Sequence, residues 1–290
     1  MHVGINLIGS EHWESYQIPA LRTMKPSCAK FNLYYNGNDT PFFGSSHLDN
    51  VLDLGVQHVI FRTAETYIAS PNVEKQLLTP LPGWQRSTLD YITTHPDRTF
   101  WIEVGNEPDL AGVSPWIQRW NLLQVAKNLI PRYRHIPNLK WIASMSTDQG
   151  GAGHSGPDYF NVMMSDQGDG AIWKLYGALG VHAYAWNSLQ IGEDGNHPWA
   201  MTDWCYGYCH TPLWVTEAGI NSTQPWSFKG ELYRNAVQQP YLVDRNVMGV
   251  TFFTLSRNPE WCRDTNYGID VSPDGTVDTT FAGMRALSLR

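Results

Sequence analysis

Eight short apolar runs recur along the chain, most of them separated by stretches whose apolar residues repeat at helical spacing. The runs are 3–8, 29–35, 57–63, 100–105, 140–145, 179–184, 213–217 and 248–255. Most are near-continuous rather than alternating, the pattern of parallel strands covered on both faces. The clearest helix follows the fourth run. Ser114 suits its cap and Pro115 its first position, and Trp116, Trp120, Leu123 and Ile130 form a helical stripe that Pro131 is expected to end. Further helices are predicted after Gly83 through Leu89 and Ile92, through Leu232, Ala236 and Gln239, and through Phe281, Met284 and Leu287. Strands alternating with helices make βα units. Neither a linker nor a low-complexity segment nor a composition break marks a second domain. The expectation is therefore an α/β fold, a (β/α)8 TIM barrel forming a single domain over residues 1–290, for which about 250 residues is typical. A doubly wound open sheet is the weaker alternative, since no Gly-x-Gly-x-x-Gly follows the first run.

Composition narrows the function classes. A hydrophobic share of 42% with only 16% charged residues describes a chain with a substantial core. A formal charge of -7 without any basic run argues against nucleic acid or an anionic membrane surface as partner. No apolar stretch reaches the roughly 18 residues of a membrane span. The segment Met1–Ile8 reads as a first strand rather than an export signal, so either an intracellular protein or a mature secreted form is expected. The 13 Trp exceed the ordinary share. Singly they are expected in the core; as a set, with 14 Tyr, they also suit a cleft where sugar rings stack on aromatic faces.

The ten histidines are scattered, with no His-x-x-x-His or Cys-x-x-Cys. The nearest thing to a metal motif is Cys205, Cys209 and His210 with His197 before them, where a disulfide or two free thiols are favoured over zinc. In an oxidising compartment Cys205 and Cys209 are expected to bridge, with Cys28 and Cys262 free. No metal, no cofactor and no obligate protein partner is expected.

Two glutamates carry the candidate chemistry. Glu107 lies just past the fourth run and Glu217 ends the seventh. A carboxylate at the end of a buried strand costs desolvation unless it has partners or a task. Two of them on separate strands are what glycosidic cleavage requires, one to protonate the leaving oxygen and one to face the anomeric carbon as an anion. In a barrel both would lie at the C-terminal rim, where such folds place their chemistry. Glu103 shares the strand and, by period two, the face of Glu107, but deeper. It is expected to pair with Arg62 and to take no part in the chemistry. Glu65 is expected at the rim or against substrate.

Asn106-Glu107-Pro108 and Thr216-Glu217-Ala218-Gly219 resemble the acid/base and nucleophile segments of clan A glycoside hydrolases, the retaining (β/α)8 enzymes that include families 5 and 39. His182-Ala183-Tyr184 is similar to the His-x-Tyr that supports the nucleophile there, and Arg62 to the clan's arginine near it, although that arginine usually sits on the second strand. The resemblance implies that Asn106 holds the sugar 2-hydroxyl. Many members also carry a Trp ending the eighth strand under the reacting sugar. Here Trp261 from the following loop, Phe253, or no platform at all are the alternatives. The implied activity is retaining hydrolysis of a β-linked polysaccharide or oligosaccharide by double displacement, endo-acting if the cleft is open. A transglycosylase on the same residues and a non-catalytic carbohydrate-binding barrel are the rivals. The aromatic segment from Trp186 to Trp214 is expected to wall or cover the cleft.

Overall fold

The computed structural model describes residues 1–9, 12–32, 43–63, 70–147, 153–165, 172–185, 199–221, 226–255, 267–270 and 281–287. In chain order the elements are β1 (His2–Leu7), α1 (Ile18–Met24), β2 (Cys28–Asn32), α2 (Ser45–Asp53), β3 (His58–Arg62), α3 (Ser70–Leu78), α4 (Thr88–Thr94) and β4 (Thr99–Val104). They continue with α5 (Pro115–Tyr133), β5 (Leu139–Ser144), α6 (Gly156–Met164), β6 (Ala178–Ala185), α7 (Ala200–Cys209) and β7 (Leu213–Ile220). The series ends with α8 (Trp226–Val237), α9 (Pro240–Asp244), β8 (Val247–Phe252) and α10 (Ala282–Leu287). The eight strands pair in sequence order, all parallel, and β8 closes on β1. The fold is the expected (β/α)8 barrel.

Period-two alternation divides each strand between two cores. Outward residues such as Ala29, Val59, Phe100, Leu179 and Val215 pack beneath the helices. Inward residues Cys28, Ile60, Trp101, Ile142, Ala178 and Trp214 form a separate apolar plug near the N-terminal ends of the strands. The Trp101 and Trp214 rings meet edge to face at 5.7 Å in that plug. Burying one such ring removes roughly 150–250 Å² from water, on the order of 4–6 kcal/mol before the entropy of ordering. Gly249 on the neighbouring β8 makes room for it, since a Cβ there would lie 2.0 Å from the Trp214 ring.

The helix after β4 begins as its residues dictate. Ser114 caps α5, its side chain accepting from the Ile117 N–H at 3.4 Å, and Pro115 fills the first position. Two expectations about it are corrected. Pro131 does not end the helix but sits in its last turn, where the missing N–H removes a single bond. Trp116 and Trp120 are exposed, because the buried face of α5 is formed by Leu122, Leu123, Val125, Ala126 and Leu129. Elsewhere Trp13, Trp141 and Trp199 are buried while Trp204 is exposed. The expected bridge between Cys205 and Cys209 is also corrected. Both are free thiols one turn apart on α7, where the Cys209 thiol donates to the Cys205 carbonyl at 3.4 Å. Cys28 is a buried free thiol, as expected, and Cys262 lies outside the described residues. Among the described residues no helix is long and apolar enough to cross a membrane.

One irregularity positions the site. On β7 the register slips by one residue against both neighbours. Val215 pairs with Val181 and Val250, whereas the next partners are Glu217 with His182 and Ala218 with Phe252. An extra residue on β7 is a β-bulge, which bends the strand and re-aims a side chain. Trp214 points into the barrel, so strict alternation would send Glu217 out to the helices. The bulge at Thr216 turns it inward.

Candidate active site

Above the apolar plug the inward positions become polar, two residues further along each strand. Cys28 is followed by Lys30 and Asn32, Ile60 by Arg62, Trp101 by Glu103, and Ala178 by Gly180, His182 and Tyr184. Asn6 joins them from β1 and Glu217 from β7. All of these side chains converge at the C-terminal end of the barrel.

Glu217 is the most fully partnered of them. Its Oε1 accepts from Lys30 Nζ at 2.9 Å and Asn6 Nδ2 at 3.1 Å, with Arg62 at 3.5 Å. Its Oε2 accepts from the Tyr184 hydroxyl at 2.6 Å. Arg62 is itself steadied by Asn32 Oδ1 at 3.5 Å. Burial opposes the charge on Glu217, but Lys30, His182, Arg62 and the Tyr184 hydrogen bond outweigh it and hold the carboxyl far below the usual carboxylate range. The result is a fixed buried anion.

Glu107 occupies a different setting. It sits on the turn after β4 at φ 38°, a left-handed conformation that costs a non-glycine residue on the order of 1 kcal/mol or more. Neighbours hold that turn from both sides. The Gly105 N–H donates to Thr63 Oγ1 at 3.0 Å, and Ser144 Oγ donates to the Gly105 carbonyl at 2.9 Å. Beyond Glu107, Asp109 accepts from the Thr147 N–H and hydroxyl at 2.9 and 2.6 Å. The Glu107 side chain is 24% exposed and its Oε1 lies 2.8 Å from His182 Nδ1. Asn106 beside it is buried, and its side-chain Oδ1 has no hydrogen-bond partner among the described residues.

His182 lies between the two acids, its Nδ1 2.8 Å from Glu107 Oε1 and 3.7 Å from Glu217 Oε2. Burial would push the imidazole down, yet the Glu217 and Glu107 charges together raise it above its ordinary value, with Lys30 opposing. A raised folded-state value contributes stability that is fully present below about pH 6.5 and lost as pH rises through the raised midpoint. In an NMR titration the His182 ring is expected to change charge above the ordinary histidine range, and to fall back toward it in Glu217→Gln. A midpoint that ignores the substitution would contradict this coupling.

The structure thus brings Glu107, Glu217, His182, Tyr184 and Arg62 together, with Asn106 next to Glu107. Trp261 and Glu65 lie outside the described residues, as does the part of the aromatic segment before Trp199. Phe253 follows β8, its ring 6.2 Å from Tyr184 and 6.0 Å from Tyr267. The expected pairing of Glu103 with Arg62 is corrected. Glu103 faces Lys30, with Oε2 2.7 Å from Nζ, while Arg62 reaches up to Glu217. Lys30, Asn6 and Asn32 escaped the sequence reading. The available signal was Lys30 itself, a lysine inside an apolar strand, which cannot be buried without an anion.

Glu107, His182 and Glu217 offer one ligand atom each within 4.8 Å of one another, the sole such group among the described residues. The surrounding charges make it a poor cation site. Lys30 and Arg62 lie against Oε1 of the same Glu217 carboxylate whose Oε2 faces His182.

No protein-family model and no curated protein matches the chain in sequence. Solved structures match it in shape. A family GH128 (subgroup II) endo-β-1,3-glucanase from Sorangium cellulosum aligns with 14% identity over 100% of this chain and 99% of its own, at a TM-score of 0.57. Gas2p from Saccharomyces cerevisiae, solved with laminaritetraose and laminaripentaose, aligns with 13% identity over 97% of this chain and 61% of its own, at a TM-score of 0.59. An endo-β-1,4-mannanase from Thermotoga petrophila aligns with 14% identity over 98% and 76%, at a TM-score of 0.52. At these identities the likeness is one of fold.

Proposed function

We propose that residues 1–290 form one catalytic domain, a retaining endo-β-glycoside hydrolase with Glu217 as nucleophile and Glu107 as acid/base. The observation that carries this reading is the pair itself. An oxygen of each carboxyl falls within the 4.8 Å cluster, and the two environments are opposite. Retaining enzymes set their carboxyl groups about 5–5.5 Å apart, whereas inverting ones leave a wider gap for water. Glu217 is buried against two cations and held ionised; Glu107 is partly open to solvent on a turn at the rim.

In the first step a Glu217 oxygen bonds to the anomeric carbon as the glycosidic C–O bond breaks, and the leaving oxygen takes the proton of Glu107. In the second, water attacks that carbon, Glu107 accepts its proton, and the ester bond returns its electron pair to Glu217. His182 orients Glu107 through Oε1, which leaves Oε2 to exchange the proton. Tyr184 and Asn6 fix the Glu217 carboxylate, and the unpartnered Asn106 oxygen suits a sugar 2-hydroxyl.

The likeness to β-1,3-glucanase and laminari-oligosaccharide-bound barrels supports β-glucan, β-1,3-linked first, as the substrate to try. Proton NMR of the first products from laminarin tests the mechanism. The β-anomer is expected before mutarotation, and an initial α-anomer would overturn the assignment of Glu217. Products longer than the substrate would indicate transfer to a sugar instead of water. Bound but uncleaved glucan would favour a binding barrel.

A further inference from the structure

Glu103 is a buried acid that the mechanism above does not use. It is fully shielded from solvent, and its counterpart among the described residues is the Lys30 ammonium at 2.7 Å. Opposite its other oxygen stands Gly180, where a Cβ would come within 3.3 Å, so β6 offers it no side chain. Lys30, equally buried, therefore stands between two carboxylates, 2.7 Å from Glu103 and 2.9 Å from Glu217. Buried ion pairs are expensive, and apolar residues of similar volume often serve the fold as well or better. The Lys30–Glu103 pair adjoins the nucleophile, which gives it a use beyond the fold.

Resting on the retaining reading above, we propose that Glu103 is a positioning residue that tunes Glu217 by drawing off part of the Lys30 charge. The charges around it come from every side: Lys30 on β2, Arg62 on β3, Glu107 after β4, His182 and Tyr184 on β6, and Glu217 on β7. At rest, Lys30 faces two anions, Glu217 and Glu103, while Arg62 faces Glu217. With Lys30 shared, Glu217 keeps the electron density it needs to attack the anomeric carbon. When Glu217 becomes a neutral ester, Glu103 remains to hold Lys30, so the ammonium does not pull prematurely on the ester oxygen. Removing the Glu103 charge leaves Lys30 to Glu217 alone, making it a weaker nucleophile but a better leaving group.

The test separates the two chemical steps by stopped-flow with 2,4-dinitrophenyl β-laminaribioside, comparing the wild-type protein with Glu103→Gln. Formation of the glycosyl-enzyme is expected to slow by about tenfold or more, its hydrolysis to be no slower, and the acid limb of kcat/KM to move to lower pH. Equal slowing of both steps, or an unmoved acid limb, would overturn the proposal and assign Glu103 to the fold. Glu103→Asp keeps the charge but withdraws it from Lys30, so its ratio of the two rates must fall between the others. If the Gln variant does not fold, a wild-type ratio in the Asp variant overturns the proposal instead. A wild-type protein that cleaves neither aryl β-glycosides nor β-glucans retires the functional reading, which is a different outcome from an active protein indifferent to Glu103.

Discussion

Glu217→Ala is expected to lose about 100,000-fold in turnover or more, since no covalent intermediate can form without the carboxylate. The fold should survive, because Lys30 keeps Glu103 as counter-ion and Arg62 keeps Asn32. Glu107→Ala should behave differently. On unactivated glucans it loses the acid and falls by about 100- to 10,000-fold. On dinitrophenyl glycosides, whose leaving group needs no proton, the first step should stay fast and the second become limiting. Azide, an anion that needs no base, should then restore turnover and yield a glycosyl azide of retained configuration. Steady-state rates of both variants on both substrate types, with and without azide, decide the matter. Azide rescue of the Glu217 variant to an inverted azide and not of the Glu107 variant would leave Glu217 as nucleophile but remove Glu107 as acid/base; rescue of neither on any leaving group would unseat both roles.

The second large effect concerns stability. Lys30→Met is close to isosteric but leaves Glu103 and Glu217 buried without their shared cation. Breaking a buried ion pair from one side costs about 3–5 kcal/mol, so the urea midpoint at neutral pH should fall sharply. Protonating one of the acids relieves the strain, which predicts a smaller loss at low pH than at pH 8. In whatever fraction stays folded, the acid limb of kcat/KM should move to higher pH, opposite to the shift expected for Glu103→Gln. A variant of near-wild-type stability would mean that Lys30 is not the charge compensating these two carboxylates.

Much of this was legible in the residues. Each of the eight apolar runs overlaps a strand, because burial on both faces of a parallel sheet writes a continuous signal. Glu107, Glu217, His182 and Tyr184 stood out because polar residues at the ends of such runs are conspicuous against it. Long-range partners were not legible. Arg62 and Glu103 are register neighbours on β3 and β4, yet the ion pair to Glu103 comes from Lys30 on β2. Which charge meets which inside a barrel depends on stagger and side-chain reach, neither of which local sequence encodes. The exposure of Trp116 and Trp120 was missed for a related reason. Both fit a helical stripe, and hydrophobicity alone does not say which stripe of α5 faces the barrel. The seventh run looked finished at Glu217, whereas β7 continues to Ile220. Its bulge has no signature in composition.

That bulge makes the site depend on pairing register as much as on chemistry. Every partner of Glu217 could be retained, and every residue type kept, while a shift that took Thr216 into the ladder would restore even alternation along all of β7. The acid would then face the helices and Ala218 the cleft. Losing residue 216 altogether would instead leave Glu217 two positions after Trp214 and still inward, so it is the register of pairing that aims the acid. With Thr216 present, the ladder must skip one residue there for the carboxylate to reach the cleft.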